Sequence, residues 1–443
     1  MEKVFLLTLG CARNLLDSEV LLALIEKKGF LLVEDAEKAD IAIVNTCGFI
    51  QDAKEESINS ILQLVELKKK GALKKIIISG CLPQRYPSEL MNEIKEIDGV
   101  FGTSDFTKIP DAIEKMLSGK RIREVEEEPQ FLYDHSFDRK ILTSPHYAYI
   151  KIQEGCSNRC SYCVIPDLRG PRRSRDMSSI LEEIKVLKEK SNIKELIFIG
   201  QDTTSFGIDT SGRSELAELI KRASVIMKGG WVRLLYTHPA HFTDELIDVI
   251  AETDNICNYI DLPIQHINDR ILKKMNRRTT KAGIADLIEK LRGRIKDVTL
   301  RTSVIVGFPG ETEEEFGELM DFLAETKFDR LGAFIYSREE GTPAAEFDSQ
   351  VSTNVKEERF DKVMRLQQEI STENNQKYFE KELEVLIDER DPADPEQLIG
   401  RSRMDAPEVD GVIYVKGSGV EVGDFEKVRI TGTLEYDLIG EVA

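Results

Sequence analysis

Three cysteines, Cys156, Cys160 and Cys163, stand in the run Glu154-Gly155-Cys156-Ser157-Asn158-Arg159-Cys160-Ser161-Tyr162-Cys163. The spacing is C-x3-C-x2-C, which gathers three thiolates around one metal cluster. A four-iron cluster usually takes four cysteine thiolates. Three ligands leave one iron open, and an open iron can bind a substrate as well as pass electrons. The spacing differs from the C-x2-C-x2-C of ferredoxins, and a structural zinc site calls for two C-x2-C pairs or added histidines. The bland alternative is a structural metal knot, or three unrelated thiols.

Four of the seven cysteines lie outside that run: Cys11, Cys47, Cys81 and Cys257. The first three each end an apolar segment that reads as a strand, namely Val4 to Gly10, Ile41 to Thr46 and Ile76 to Gly80. Helical patterns follow. Ile58, Ile61, Leu62 and Val65 fall on one helix face, and Asn14 with Asp17 suits a helix start after Cys11. Repeated β-α units predict a parallel sheet, whose ligands bind at the carboxyl ends of its strands. Three cysteines at three such ends can converge on a second three-ligand cluster. The alternative is three small buried residues of a Rossmann-like core, where free cysteine is common. Cys257 has no partner and reads as structural.

Lys plus Arg number 61 and Asp plus Glu 80, a net charge of −19 over 443 residues. No apolar run approaches the roughly 18 residues of a membrane helix, and no signal-like segment follows Met1. Many thiols without a secretory signal argue for a reducing compartment, so the expected location is cytoplasmic, with no membrane partner.

The expected architecture is a multidomain α/β chain in three parts. Residues 1–142 form a Rossmann-like parallel-sheet domain, ending in an acidic stretch from Glu124 to Asp138 that reads as a linker. Residues 143–375 alternate strands and helices: Tyr147 to Ile152, Leu196 to Gly200, Val232 to Tyr236, Tyr259 to Leu262, Thr299 to Val306 and Arg330 to Tyr336. That is a partial (β/α) barrel, whose catalytic groups belong on the loops after the strands. A polar helix from Lys356 to Phe379 leads to residues 376–443. There, short strands separated by turns predict a small five-stranded barrel of OB type. From Thr372 onward 18 acidic residues face 8 basic ones, a balance of −10. Such a surface repels phosphate and attracts a basic protein, so direct nucleic-acid binding is not expected.

The cysteine run resembles the signature of the radical S-adenosylmethionine (SAM) enzymes. Over its whole length the chain resembles the radical SAM methylthiotransferases, with an N-terminal three-cysteine domain, a radical SAM domain and a C-terminal TRAM domain. Within that family several segments resemble the branch that modifies an aspartate of small-subunit ribosomal protein S-twelve. They are Asn45 to Ile50 with Ala53, Glu56 and Ser57; Gly200-Gln201-Asp202-Thr203-Thr204-Ser205-Phe206-Gly207; Leu262-Pro263-Ile264-Gln265-His266; Tyr336-Ser337 with Glu340 to Ala345; and Lys356 to Arg359. Tyr236-Thr237-His238-Pro239-Ala240-His241 departs from the branch's more usual Tyr-Pro-x-Pro-His.

The resemblance implies an enzyme that methylthiolates the β-carbon of that aspartate with two SAM and two 4Fe-4S clusters. Cys11, Cys47 and Cys81 would hold the auxiliary cluster, at which one SAM methylates a bound sulfur. Cys156, Cys160 and Cys163 would hold the cluster that cleaves the second SAM. The radical so formed takes a hydrogen from the aspartate, and the methylthio group follows. An electron donor and a sulfur source are implied partners. Tyr162 would lie near the adenine, Gln201 and Asp202 near SAM's amino group, and Gly307, in Ser303 to Thr312, would let the backbone approach the adenosyl group. Arg301 could meet SAM's carboxylate or ribose, or form a buried ion pair. Arg169, Arg172, Arg173 and Arg175 could hold the target carboxylate or form a solvated face, and His238, His241 and His266 are expected to pack or bond locally. Two other classes stay open: the sister group that modifies tRNA adenosine, and a non-catalytic iron–sulfur electron-transfer protein.

Overall fold

The computed structural model describes residues 1–394 and 396–443. Its contacts divide into two compact units. One comprises Met1–Leu142, Lys151–Ile180 and Glu339–Thr342, and the other Thr143–Ile150, Leu181–Arg338 and Pro343–Ala443.

In the first unit, β1 (Lys3–Thr8), β2 (Leu31–Leu32), β3 (Ile41–Thr46), β4 (Lys75–Gly80), β5 (Gly99–Phe101) and β6 (Ile122–Glu124) form one sheet in the order β2-β1-β3-β4-β5-β6. All neighbouring pairs are parallel. Continuous apolar runs such as Ile41 to Val44 mark strands covered on both faces. Successive side chains point to opposite faces. Ile41, Ile43 and Ile77 join a core with Leu16 and Val20 of the helix Ala12–Lys27. Ala42, Val44, Ile76 and Ile78 join another with Ile61 and Val65 of the helix Gln51–Lys69. The stretch expected to be a linker is in large part a packed strap. Phe131 stands edge-on to Phe106 and Phe137 at 5.3 and 5.4 Å, and Tyr133 is buried in the first core beneath Arg175.

β7 (Tyr147–Lys151) belongs to the second unit up to Ile150. The next segment of the first unit carries the antiparallel pair β8 (Gln153–Glu154) and β9 (Arg173–Ser174). Between them lie the cysteine loop and a short helix, Ile165–Arg169.

In the second unit, β10 (Glu195–Ile199) lies between β7 and β11 (Trp231–Leu234) in a three-stranded sheet. β12 (Tyr259–Asp261), β13 (Thr299–Val306) and β14 (Arg330–Ile335) form another, parallel throughout. The helices Leu216–Ile226, Asp244–Glu252, Lys281–Arg294 and Glu313–Thr326 alternate with these strands. The last is opened by a capping box of Thr312 and Glu315. After the helix Thr353–Gln376, β15 (Glu382–Arg390), β16 (Gln397–Arg401), β17 (Ile413–Lys416), β18 (Phe425–Thr433) and β19 (Leu438–Val442) close a barrel in the order β15-β16-β17-β19-β18. Its third and fifth strands run parallel, and the others pair antiparallel.

This small barrel docks on the amino ends of β10 to β14 through charge. Arg233 pairs with Glu195 at 2.6 Å, Arg401 with the same carboxylate at 2.8 Å, and Arg330 with Asp405 at 2.6 Å. Arg401 also holds Asp388, which accepts from His146 at 2.8 Å if that nitrogen carries the proton. Asp388 and Asp405 are thus matched by basic groups inside the unit, and Asp410 accepts from the Tyr259 hydroxyl at 2.6 Å. The acidic excess counted from the sequence is therefore only partly a surface property.

Candidate functional site

Cys11, Cys47 and Cys81 follow three adjacent strands. Residues opposite one another run Thr8, Asn45 and Ser79, with Thr46 opposite Gly80, so β1, β3 and β4 end at nearly one level. Cys47 and Cys81 come directly after their strands, and Cys11 three residues after β1. Glycines make the close approach possible. Gly10 has φ +91, and a Cβ there would lie 3.0 Å from Cys47 Cβ and 3.4 Å from its sulfur. A Cβ on Gly48 would stand 2.9 Å from the backbone of Cys81 and Leu82. Neither position admits a larger residue without moving a cysteine.

Charge around this triplet is uneven. Burial pushes the Cys11 thiol up, but Arg13, Arg169 and the helix amides of Asn14 and Arg13 outweigh it and hold it below the ordinary value. Cys11 is the N-cap of its helix, where amide dipoles favour a thiolate. Burial, with Cys81 nearby, pushes Cys47 up to about 11, and burial raises Cys81 as well. Asn14, expected as a helix start, is instead fully buried. Its amide donates to the carbonyls of Leu9 and Thr46, both at 3.0 Å. Arg85 donates to the Gly48 carbonyl at 3.1 Å and pairs with Glu339 at 2.6 Å, a carboxylate shared with Lys54.

Cys156, Cys160 and Cys163 sit in the loop between β8 and β9. The Cys156 amide donates to the Gly170 carbonyl, and that of Cys163 to the Cys160 carbonyl, both at 3.1 Å. Gly155 has φ +74, and a Cβ there would collide with the carbonyls of Gly170 and Pro171. Burial and then Cys160 raise the Cys163 thiol, with Arg13 acting the other way. Arg13 therefore exerts its field on cysteines of both triplets. Tyr162 is half-buried in the same loop.

Three of the four arginines after this loop bond inside the fold. Arg169 is buried and bonded to Asp17, Glu154 and Asn14. Arg175 is buried, donates to the Lys151 carbonyl at 2.8 Å and lies 4.0 Å from the Tyr133 ring centre. Arg173 bonds to the carbonyls of Pro171 and Arg169.

In the second unit, Gln201 and Asp202 follow β10 at the carboxyl side of its sheet. The Asp202 oxygens are held by the Thr204 hydroxyl and by His241 Nδ1, both at 2.7 Å. Burial alone would raise that carboxyl, but the His241 bond, His238 and Thr204 leave it well below its ordinary range. Burial pushes His238 down to about 3, and Arg277 adds to it. His238 Nδ1 accepts from the Ala240 amide, and the two histidine rings stack at 4.9 Å. Asp202 is thus engaged as His241's partner. Neither signal stood out in sequence, because the two residues are 39 positions apart.

Gly307 ends β13 with φ +71, where the Lys356 side chain leaves no room for a Cβ. Arg301 stands toward the amino end of the same strand. Its guanidinium pairs with Asp261 at 2.9 Å and Asp410 at 3.3 Å. His266 is buried, with Nδ1 accepting from the Asn268 amide at 3.0 Å. Cys257 is buried, apart from both triplets in sequence and in its neighbours, and burial pushes it up to about 11.

Among the described residues, no three of His, Cys, Asp and Glu are gathered tightly enough for a single metal ion. The thiols of each triplet are nonetheless within one another's electrostatic reach. A cluster spreads its ligands over separate irons, so its thiols stand further apart than those around one ion with bonds of roughly 2.3 Å.

Known proteins match this arrangement segment by segment. Residues 3–102 match an uncharacterized protein family, UPF0004, residues 150–323 the radical SAM superfamily, and residues 381–443 the TRAM domain. A protein of Desulforamulus reducens named ribosomal protein uS12 methylthiotransferase RimO is 48% identical over 444 residues, covering 100% of both chains. A protein of the same name from Clostridioides difficile is 47% identical, over 100% of this chain and 99% of its own. Among solved structures, the radical SAM methyltransferase TsrM of Kitasatospora setae aligns with a TM-score of 0.56 at 16% identity, over 75% of this chain and 73% of that one. The cobalamin-dependent SAM radical enzyme OxsB aligns at 0.52 and 16%, over 79% and 55%. These two likenesses show the shared fold. On the full-length relatives, the chain belongs to the ribosomal protein uS12 methylthiotransferases of the radical SAM superfamily.

Proposed function

We propose that this chain transfers a methylthio group to ribosomal protein uS12, and that the acceptor is the β-carbon of an aspartate side chain. The observation that carries the reading is two separate cysteine triplets within one compact unit, each with three thiols and no fourth. Simple radical chemistry needs only one such place, and a transfer of sulfur needs a second.

The donor sets fit four-iron clusters. Each offers three soft ligands, with glycine at the close approaches of the first triplet and Gly155 letting the second triplet's loop close on Gly170 and Pro171. Cys11, Cys47 and Cys81 would hold one, and Cys156, Cys160 and Cys163 the other. With SAM, the bound groups supply one-electron chemistry able to break an unactivated C–H bond, which no side chain can do. The chain's own residues bind and orient. Asn14, Arg85 and Arg169 fix the strand ends that carry the first triplet. Tyr162 provides an aromatic face for the adenine, and Gln201 and Gly307 complete the proposed SAM contacts. Asp202 orients His241, and Arg301 holds the small barrel. The functional domains proposed are residues 1–142, 143–375 and 376–443. An external electron donor and a sulfur source are needed.

The test is anaerobic reconstitution with iron and sulfide, then SAM, a strong reductant and either uS12 or bulk tRNA. Mass spectrometry on both should find a methylthio increment on one aspartate of the protein. An increment on tRNA adenosine would overturn the substrate, and intact SAM with iron fully loaded would overturn the chemistry.

A further inference from the structure

Arg169 ends the short helix Ile165–Arg169, six positions after Cys163. Its Nη2 donates to Asn14 Oδ1 at 2.6 Å and lies 3.7 Å from the sulfur of Cys81. Its Nη1 donates to Asp17 at 2.7 Å and to Glu154 at 3.3 Å. Asn14 in turn bonds the carbonyls of Leu9 and Thr46, beside Cys11 and Cys47. One guanidinium therefore reaches all three strand ends, directly at Cys81 and through Asn14 at the other two. On its other side it is fixed to the second triplet's loop. Gly170, the next residue, accepts from the Cys156 amide. Leu168 and Val164 pack on Cys81, and the Leu168 carbonyl accepts from Thr103 at 2.7 Å.

We propose that Arg169 is a positioning residue that ties the two cysteine triplets together and raises the reduction potential of the group held by Cys11, Cys47 and Cys81. The inference rests on the cluster reading above. A donor and a positive charge beside a cluster sulfur favour the more negative, reduced state. In the buried network Asp17 and Glu154 are balanced by Lys151 and Arg169. Without Arg169 a net negative charge remains beside Cys81. Lysine cannot replace the planar fork that spans Asn14, Asp17 and Glu154 at once.

The test uses the full chain carrying Cys156→Ala, Cys160→Ala and Cys163→Ala, which leaves one cluster to observe. After anaerobic reconstitution, its midpoint is titrated by electron paramagnetic resonance with Arg169→Gln, Arg169→Lys or Asp17→Asn added. At a fixed potential near the midpoint, Arg169→Gln should lower the reduced-to-oxidised ratio about tenfold, about 59 mV for one electron. Arg169→Lys should shift it less, and Asp17→Asn should shift it the opposite way. A purely structural role would not give shifts of opposite sign. Unchanged midpoints in variants that keep their iron, or shifts of one sign throughout, overturn the proposal. If Arg169→Gln holds no iron, Arg169→Lys and Asp17→Asn decide the sign. A triple-cysteine parent that binds no iron overturns the cluster reading itself, and this proposal with it.

Discussion

Replacing Arg401 by methionine should loosen the small barrel from the strands beneath it, and the chain carries its own reporter of that event. Arg401 is buried and bridges two carboxylates, Glu195 at 2.8 Å and Asp388 at 2.6 Å. Burial pushes the Glu195 carboxyl up, but Arg233 and Arg401 together hold it below its ordinary value. With Arg401 gone, among the described residues Asp388 keeps His146 and Glu195 keeps Arg233 as charged or ionisable partners. Removing one partner of a buried pair costs about 3–5 kcal/mol, because the other charge is left in a medium that cannot solvate it. With a urea slope of about 2 kcal/mol/M, a loss near 4 kcal/mol moves the midpoint by about 2 M. Trp231 is the chain's single tryptophan. Its indole donates to Glu384 at 3.0 Å and its ring centre lies 4.8 Å from that of Phe425, both on the small barrel. Its fluorescence therefore follows undocking directly. The depressed value of Glu195 means that its contribution is present above roughly pH 4.3 and is lost as pH falls through the folded value. The gap between parent and Arg401→Met should accordingly narrow in acid. A midpoint shift under about 0.5 M at pH 7, or a gap that widens in acid, would refute the reasoning.

Gly48→Ala should crowd the Cys81 backbone, at 2.9 Å in the present geometry, and empty the first triplet alone. Iron per reconstituted chain should then fall from about eight to about four, and a full complement would contradict the packing reading. Asp202→Asn should destabilise the second unit at pH 7 by removing the negative charge that His241 faces. Because the Asp202 carboxyl is depressed, that contribution is present above about pH 3.9 and fades below it, so thermal melts of parent and variant should converge in acid. Cys257→Ala should leave iron content and SAM cleavage unchanged, at a stability cost of about 1 kcal/mol for a small buried side chain. Loss of iron there would give Cys257 a role the structure does not.

The sequence by itself determined what is local. The C-x3-C-x2-C run lies within eight residues, so its spacing alone limits what those thiols can hold. Alternating strand and helix patterns determined a parallel sheet and placed Cys11, Cys47 and Cys81 at strand ends, because periodicity reports each element's own buried face. Only the tertiary structure decided which strands are neighbours, and so made Gly10 and Gly48 the points of contact between cysteines. It also decided the fate of the charged residues. Asp17 and Arg169 are 152 positions apart and each looks like a surface residue in its own helix. Asp405 and Asp410 read as part of an acidic surface until Arg330 and Arg301 are brought against them. Side-chain charge has no local period, and whether it meets water or an opposite charge depends on what the rest of the chain packs against it.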